Sequence, residues 1–121
     1  MTVSRALGGE GEELAVRYLK RQGYRIIERN FRCPLGEIDV IARQGRYLVF
    51  VEIKSRSSSD FGFPHEAVHY YKQRRIIRAA MVYLARHRLN DNVLARFDVV
   101  AIERGPSGAM FDIVQNAFQT G

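Results

Sequence analysis

Two runs, Gly36-Glu37-Ile38-Asp39-Val40-Ile41-Ala42 and Tyr47-Leu48-Val49-Phe50-Val51-Glu52-Ile53-Lys54, decide the fold of this chain. Both are rich in β-branched residues, which favour strands. The connection between them, residues 43–46, has the length of a hairpin loop. The sequence therefore predicts two antiparallel strands, Glu37 to Ala42 and Tyr47 to Lys54, in the interior of a sheet.

Upstream of this hairpin, the sequence predicts one helix and one more strand. Apolar residues recur at helical spacing from Glu12 to Gln22, after three glycines at positions 8, 9 and 11. Gly23 follows as the expected helix stop, since glycine readily adopts positive φ. Tyr24 to Phe31 is the expected first strand, and Cys33-Pro34-Leu35-Gly36 is typical of a turn.

Downstream, the pattern predicts a loop from Ser55 to Phe63 and then a long helix from Pro64 to Arg88. The helix has an apolar arc, expected to pack on the sheet: Ile76, Ile77, Ala80, Met81 and Leu84. Its opposite arc is expected to be cationic: Lys72, Arg74, Arg75, Arg78 and Arg86.

After a break at residues 89–92, the chain returns to strand. Ala95 to Glu103 is predicted to pair in parallel through the helical crossover, and Met110 to Val114 to form an edge strand after a turn at Arg104 to Gly108. The order of elements predicts an α/β sandwich, α-β-β-β-α-β, in which helices flank a central mixed sheet.

Length and charge limit the class of protein. The 121 residues fit a single domain, 1–121, with a core at about 9–114 and flexible ends. A net charge of +6 attracts polyanions, so nucleic acid is the expected partner, although a merely solvated basic surface would carry the same charge. A membrane surface is disfavoured because Phe and Tyr are interleaved with charges.

The cysteine content and the absence of long apolar runs indicate the compartment. Cys33 is the only cysteine, so no intrachain disulfide can form. Met1 to Gly11 lacks an apolar signal region, and no stretch approaches the roughly 20 apolar residues of a membrane span. We therefore expect a cytoplasmic protein.

Asp39, Glu52 and Lys54 are the candidate catalytic residues. Side chains alternate along a strand, so Glu52 and Lys54 share a face, and the antiparallel partner brings Asp39 to the same end of the sheet. Ile38 and Val40 are expected together on the opposite face. Carboxylates in so apolar a segment are costly unless they pair or hold a cation, and their hard oxygens suit Mg2+ or Mn2+.

The role expected of Lys54 is to orient or activate an attacking water or to stabilise the pentacovalent phosphate. The simpler alternative is an ion pair between Lys54 and a carboxylate that only joins two strands.

These residues resemble the PD-(D/E)XK nuclease superfamily. More closely, the chain resembles the bacterial YraN-like family, which is similar to archaeal Holliday-junction resolvases. Five strings between residues 11 and 102 carry the likeness: Gly11-Glu12-Glu13-Leu14-Ala15, Gly23-Tyr24-Arg25-Ile26, Gly36-Glu37-Ile38-Asp39, Val49-Phe50-Val51-Glu52-Ile53-Lys54-Ser55-Arg56 and Arg96-Phe97-Asp98-Val99-Val100.

The resemblance implies a restriction-endonuclease-like fold and adds Glu12 to the catalytic and metal-binding set with Asp39 and Glu52. Read without the resemblance, Glu12 is equally an acidic residue that favours a helix N-terminus. Ile38 stands where the superfamily's proline would be, which leaves the ligand chemistry intact.

The basic residues are expected to bind the phosphates of nucleic acid: Arg56, Lys72, Gln73, Arg74, Arg75 and Arg78. Lys72 or Gln73 could also reach the site from the helix, or lie at its margin as an ordinary polar residue. Phe61 and Phe63 could stack on unpaired bases or cap the core edge.

The expected function is a magnesium-dependent endonuclease acting on structured DNA, branched or junction. A homodimer would suit the two-fold symmetry of a junction. One alternative is a non-catalytic nucleic-acid-binding module on the nuclease scaffold, and another is a scaffold that binds a protein along its sheet edge.

Overall fold

A computed structural model describes residues 3–56, 69–89 and 92–120, with side chains from residue 9 and, in the first range, to residue 55. Two helices and five strands follow in the order α1 Val3–Arg21, β1 Arg25–Cys33, β2 Gly36–Gln44, β3 Tyr47–Arg56, α2 Tyr70–Arg86, β4 Leu94–Gly105 and β5 Gly108–Phe118. Neither helix has the length and hydropathy to cross a lipid bilayer.

The strands form one mixed sheet in sequence order, β1-β2-β3-β4-β5. β1, β2 and β3 are a meander of antiparallel neighbours. α2 lies in the connection to β4, which pairs in parallel with β3, and β5 returns antiparallel to β4. The chain is therefore an α/β fold, with the parallel pairing that the crossover helix predicts.

The two helices cover opposite faces of this sheet. Phe50 packs with α2 residues such as Ile76 and Tyr83 in one core cluster. Val51, the next residue of β3, packs with Leu19 of α1 in the other. Since successive strand residues point to opposite faces, the structure has three layers.

α1 is longer than the sequence predicts. It begins at Val3 and passes through Gly9 and Gly11, whereas the pattern predicts a start at Glu12. A Cβ at buried Gly11 would lie 3.0 Å from Ser55 Oγ, so glycine lets the helix lie close to β3. This packing offsets the poor helix propensity of glycine, about 1 kcal/mol relative to alanine. Gly23 does end the helix, at φ 91°.

The strands also extend beyond their predicted limits because each hairpin turn is only two residues long. Cys33 pairs with Gly36, Gln44 with Tyr47, and Gly105 with Gly108. β5 therefore begins at Gly108 and not at Met110, and it continues in pairing with β4 to Phe118, where the pattern ended at Val114. Residues 55–56 of the predicted loop belong to β3. The rest of that loop, which includes Phe61 and Phe63, lies outside the described residues, and so does the predicted helix start at Pro64.

Two predicted faces are wrong. Ile38 packs in the α2-side core whereas Val40 packs in the α1-side core, so strict alternation fails between them, around Asp39. Met81 is 61% exposed, because the buried arc of α2 is centred instead on Ile76 and Tyr83.

A buried polar network crosses the α1 side of the sheet. Asp98 is fully buried and accepts hydrogen bonds from Tyr24 Oη at 2.7 Å and from Arg96 Nε and Nη2 at 2.9 and 2.8 Å. The N–H of Asn116 donates to the same carboxylate at 2.9 Å, next to a register shift between β4 and β5. Burial, reinforced by the hydrogen bond to Asp98, raises the pKa of Tyr24 to about 12. A buried charge with this many donors is tolerated.

Gly36 lets α2 lie directly against the turn between β1 and β2. A Cβ built there would come within 2.3 Å of the carbonyl oxygen of Arg75. No side chain can occupy that space unless the helix backbone moves, so the absence of a side chain at position 36 sets the position of the first half of α2.

Replacing this glycine is expected to destabilise the fold. We predict that Gly36→Ala lowers the free energy of unfolding by about 1–3 kcal/mol, as overpacking of a close contact does. Urea denaturation measures the change. The matched control is Gly9→Ala, where no atom lies within 4 Å and the added methyl should be neutral or stabilising. Equal effects of the two substitutions would contradict the steric explanation.

Candidate active site

The candidate site forms where β2 and β3 stop pairing. Their backbone ladder ends with Val40 opposite Val51. One residue further, the Asp39 side chain takes the place of the missing backbone acceptor, and the N–H of Ile53 donates to Asp39 Oδ2 at 2.8 Å. The carboxylate is thereby fixed at the end of the ladder.

Glu52 lies beside Asp39 and is only 3% exposed. Its charge is met from the helix layer, because Lys72 Nζ of α2 lies 2.5 Å from Glu52 Oε2. Burial alone would lower the pKa of Lys72, but the hydrogen bond and charge of Glu52 outweigh burial and raise it. Lys72 therefore belongs to the site and not to the cationic arc of the helix.

The two carboxylates destabilise each other's charge. Burial first, and the negative charge of Glu52 second, raise the pKa of Asp39 from 3.8 to about 7. The N–H of Ile53 and the charge of Lys72 act in the opposite direction without offsetting these effects. The raised pKa of Asp39 indicates that Lys72 and the Ile53 N–H offset the charge of this pair only in part, and a bound cation would offset more of it.

Lys54 lines the same cleft as Asp39 and Glu52. Across the described part of the chain it has no ion pair, since Glu52 is taken by Lys72. The alternative in which Lys54 only joins two strands through a carboxylate is therefore wrong for these residues. Its ammonium remains available to a ligand.

Glu12 reaches the cleft from α1. Arg29 Nη2 and Asn30 Nδ2, both on β1, donate to Glu12 Oε1 at 3.1 and 3.0 Å. Arg29 also bridges to Glu13, whose side chain is 53% exposed against 21% for Glu12. Of the two neighbouring acids, Glu12 is the one that lines the cleft.

The cleft has a volume of about 550 Å³ and a balanced charge. Its charged lining consists of Glu12, Asp39, Glu52, Arg32, Lys54 and Lys72. Among the residues whose side chains are described, no three acidic, histidine or cysteine groups form a metal-ligand cluster. Two carboxylates, Asp39 and Glu52, are sufficient for Mg2+ or Mn2+. These ions commonly take one or two protein carboxylates, and water and substrate oxygens fill their other positions.

The other sequence-predicted residues lie on or near α2. Arg74, Arg75 and Arg78 are partly or fully exposed, and Gln73 is half-buried. The side chain of Arg56, at the end of β3, is outside the described part of the structure. The structure thus brings Glu12, Asp39, Glu52, Lys54 and Lys72 together and leaves the arginines on the outer surface.

Sequence reasoning missed the β1 contribution. Arg29 and Asn30 hold Glu12, and Arg32 lines the cleft. Asn30 adopts φ 55°, a left-handed conformation that asparagine tolerates better than most residues. The signal for these residues in the sequence was the mostly polar run 28–32 at the end of the predicted first strand. Such a run does not indicate which of its side chains face the cleft.

Comparison with known proteins identifies relatives without an assigned activity. Residues 11–102 match the profile of a family described as "Uncharacterised protein family UPF0102". A "UPF0102 protein" of Geobacter metallireducens is 47% identical over 116 residues, 96% of this chain and 94% of the relative. One from Syntrophotalea carbinolica is 48% identical over 119 residues, 98% and 96% of the two chains. One from Geotalea daltonii is 52% identical over 99 residues, 82% and 77%.

The raised pKa of Asp39 predicts a pH-dependent stability. Between about pH 4 and 7 the native state keeps a proton on Asp39 that the unfolded chain has lost, so this contribution falls as the pH rises through that window. In metal-free buffer, the free energy of unfolding of Asp39→Asn relative to that of wild type should therefore rise by about 2–4 kcal/mol between pH 5 and pH 8.

Urea denaturation at the two pH values measures this difference. Glu37→Gln is the control, because Glu37 is an exposed carboxylate whose ion pair with Arg32 contributes little. If the free energy of unfolding of Asp39→Asn and of wild type changes equally with pH, the pKa of Asp39 is not raised.

Proposed function

The chain belongs to the uncharacterised protein family UPF0102, and we propose that it is a metal-dependent endonuclease cleaving phosphodiester bonds in structured DNA, such as branches and junctions. The observation that carries the proposal is the pair formed by the buried Glu52 and the partly buried Asp39, beside Lys54, which has no ion pair with a described side chain. On this proposal the fold is restriction-endonuclease-like and the chain is a PD-(D/E)XK nuclease related to archaeal Holliday-junction resolvases.

Asp39 and Glu52 are the proposed ligands of Mg2+ or Mn2+, which when bound offsets phosphate charge and lowers the pKa of a coordinated water. The hydrogen bond from the Ile53 N–H orients Asp39 toward the cleft. Lys72 neutralises part of the charge of Glu52, so that a phosphate can approach the acidic pair.

Of the protein groups, Lys54 is proposed to act most directly on the reacting phosphate and water. Its ammonium is not used by a carboxylate of the described chain, so it can donate to a nonbridging oxygen of the scissile phosphate or orient the attacking water. Glu12 completes the acidic lining on the proposal, and Arg29 and Asn30 fix its carboxylate.

The surface of α2 supports the choice of a polyanionic substrate. Its 17 residues include five cations and no Asp or Glu. On the proposal, Arg74, Arg75 and Arg78 contact phosphates outside the cleft, and such contacts weaken strongly as salt increases. The first turn has no acidic residue and no side-chain cap from His69, so the positive end of the helix dipole adds to the positive potential.

Cleavage assays test the proposal. Purified protein is incubated with branched, flapped and linear DNA in Mg2+ and, separately, in Mn2+. We predict cleavage of a structured substrate by wild type and a loss of at least about 100-fold for Asp39→Asn and for Lys54→Ala, since each removes a group that stabilises developing charge.

Matched variants separate loss of chemistry from loss of charge. Glu37→Gln and Lys20→Ala remove an exposed carboxylate and an exposed ammonium outside the cleft and should retain activity. Circular dichroism confirms that each variant is folded. A folded wild-type protein that cleaves none of the substrates and binds neither ion would refute the endonuclease proposal.

A second candidate function is a nucleic-acid-binding module without catalysis. The Lys72–Glu52 ion pair favours it, because the chain itself supplies a cation to the more deeply buried carboxylate. This candidate predicts salt-sensitive DNA binding that is unchanged by Asp39→Asn and by removal of divalent ions. The endonuclease proposal predicts that Mg2+ binding is lost in Asp39→Asn, which titration calorimetry can measure.

A further inference from the structure

Two aromatic side chains lie on the solvent side of α2, where no ring of a described residue packs against them. Tyr70 is 73% exposed and Tyr71 is 83% exposed. By contrast, core rings are paired, as Phe50 and Phe97 are at a centroid distance of 5.5 Å. Within the described ranges, neither tyrosine stacks on another ring or lies beneath a guanidinium. Their apolar faces are therefore left in water and contribute little to folding.

Two arginines lie beside these rings. Arg74 is one turn after both tyrosines and Arg78 is one turn further, so the four side chains share one face of the helix. They line a depression of about 460 Å³. Neither guanidinium has an ion pair among the side chains that are described, and α2 itself offers no carboxylate. The face is thus cationic as well as aromatic.

This face and the active-site cleft lie on different sides of the same end of α2. Lys72 follows Tyr71 in the first turn of α2, and its ammonium lies 2.5 Å from Glu52. Since successive helix residues are rotated by about 100°, the Lys72 side chain leaves the helix on roughly the opposite side from Tyr70, Arg74 and Arg78. A strand that leaves the cleft would therefore pass around the first turn of α2, one helix diameter or ~10 Å, before it meets Tyr70 and Tyr71.

We propose that Tyr70, Tyr71, Arg74 and Arg78 form a stacking platform for the unpaired bases of single-stranded nucleic acid. The rings would stack on base faces, and the guanidinium groups would bind the phosphates between them. The inference rests on the proposed function and narrows its substrate class to DNA with a single-stranded segment next to the cleavage site, such as a flap or a splayed branch.

A lipid surface is the competing occupant for a cationic helix with aromatic residues, and the packing of α2 disfavours it. A helix that lies on a membrane inserts its apolar arc. In α2 that arc, which includes Ile76, Ile77 and Ala80, is buried against the sheet. Apart from Met81, the large side chains of α2 that remain outside carry phenol, ammonium or guanidinium groups, which suit bases and phosphates better than acyl chains.

Binding measured without divalent ions tests the platform separately from cleavage. Fluorescence anisotropy in EDTA compares an oligothymidine of about 16 nucleotides, at least one typical single-strand site, with a blunt duplex of equal length. We predict that Tyr70→Ala/Tyr71→Ala binds the single strand at least about tenfold more weakly, while duplex affinity changes less than about twofold.

Two matched variants identify stacking as the cause. Tyr70→Phe/Tyr71→Phe keeps both rings and should bind the single strand as wild type does. Met81→Ala removes a different exposed side chain of α2, 61% exposed, and should have no effect. Since both tyrosines are mostly exposed, the alanine variant should also retain the stability of wild type.

Three results would overturn the platform: unchanged single-strand binding in the alanine variant, an equal loss on single strand and duplex, or binding to anionic vesicles that the alanine variant loses. The platform and the endonuclease can fail separately. A wild type that cleaves DNA while the tyrosine variants bind normally refutes only the platform. Single-strand binding that depends on both rings, in a protein that never cleaves, supports the platform and refutes the endonuclease.

Discussion

The structure depends on two carboxylates, Asp39 and Glu52, held side by side in a partly buried notch where two strands separate. Their mutual repulsion in a poorly solvated place is costly, and the chain offsets part of it with the Ile53 N–H and the Lys72 ammonium. The second of these requires α2 to begin close to the sheet. That closeness depends in turn on Gly36, where any side chain would displace the helix backbone.

Much of this arrangement could be predicted from local pattern. The order of helices and strands and the parallel return of β4 follow from hydrophobic periodicity and turn residues, and both are confirmed. The antiparallel pairing of two strands was enough to place Asp39, Glu52 and Lys54 at one end of the sheet, where they line one cleft, although alternation fails beside Asp39. Such patterns succeed because strand geometry fixes which side chains are neighbours.

What could not be predicted depends on contacts between distant segments. The start of α1 was wrong because the packing of Gly11 on Ser55 outweighs glycine's helix propensity. The faces of Ile38 and Met81 were wrong because the sheet is irregular beside Asp39 and because the buried arc of α2 is rotated from the expected one. The restraint of Glu12 by β1 could not be predicted because the polar run 28–32 does not indicate which of its side chains face α1.

The Asp98 network bears on how the chain folds. Its donors come from Tyr24, between α1 and β1, from β4 itself and from β5, and Tyr24 and Asp98 are 74 positions apart in the sequence. A partly ordered chain in which the final strand has not docked would bury this carboxylate with a donor missing, which is strongly unfavourable. Half-assembled sheets are thereby penalised, and the transition between the folded and unfolded chain becomes all-or-none.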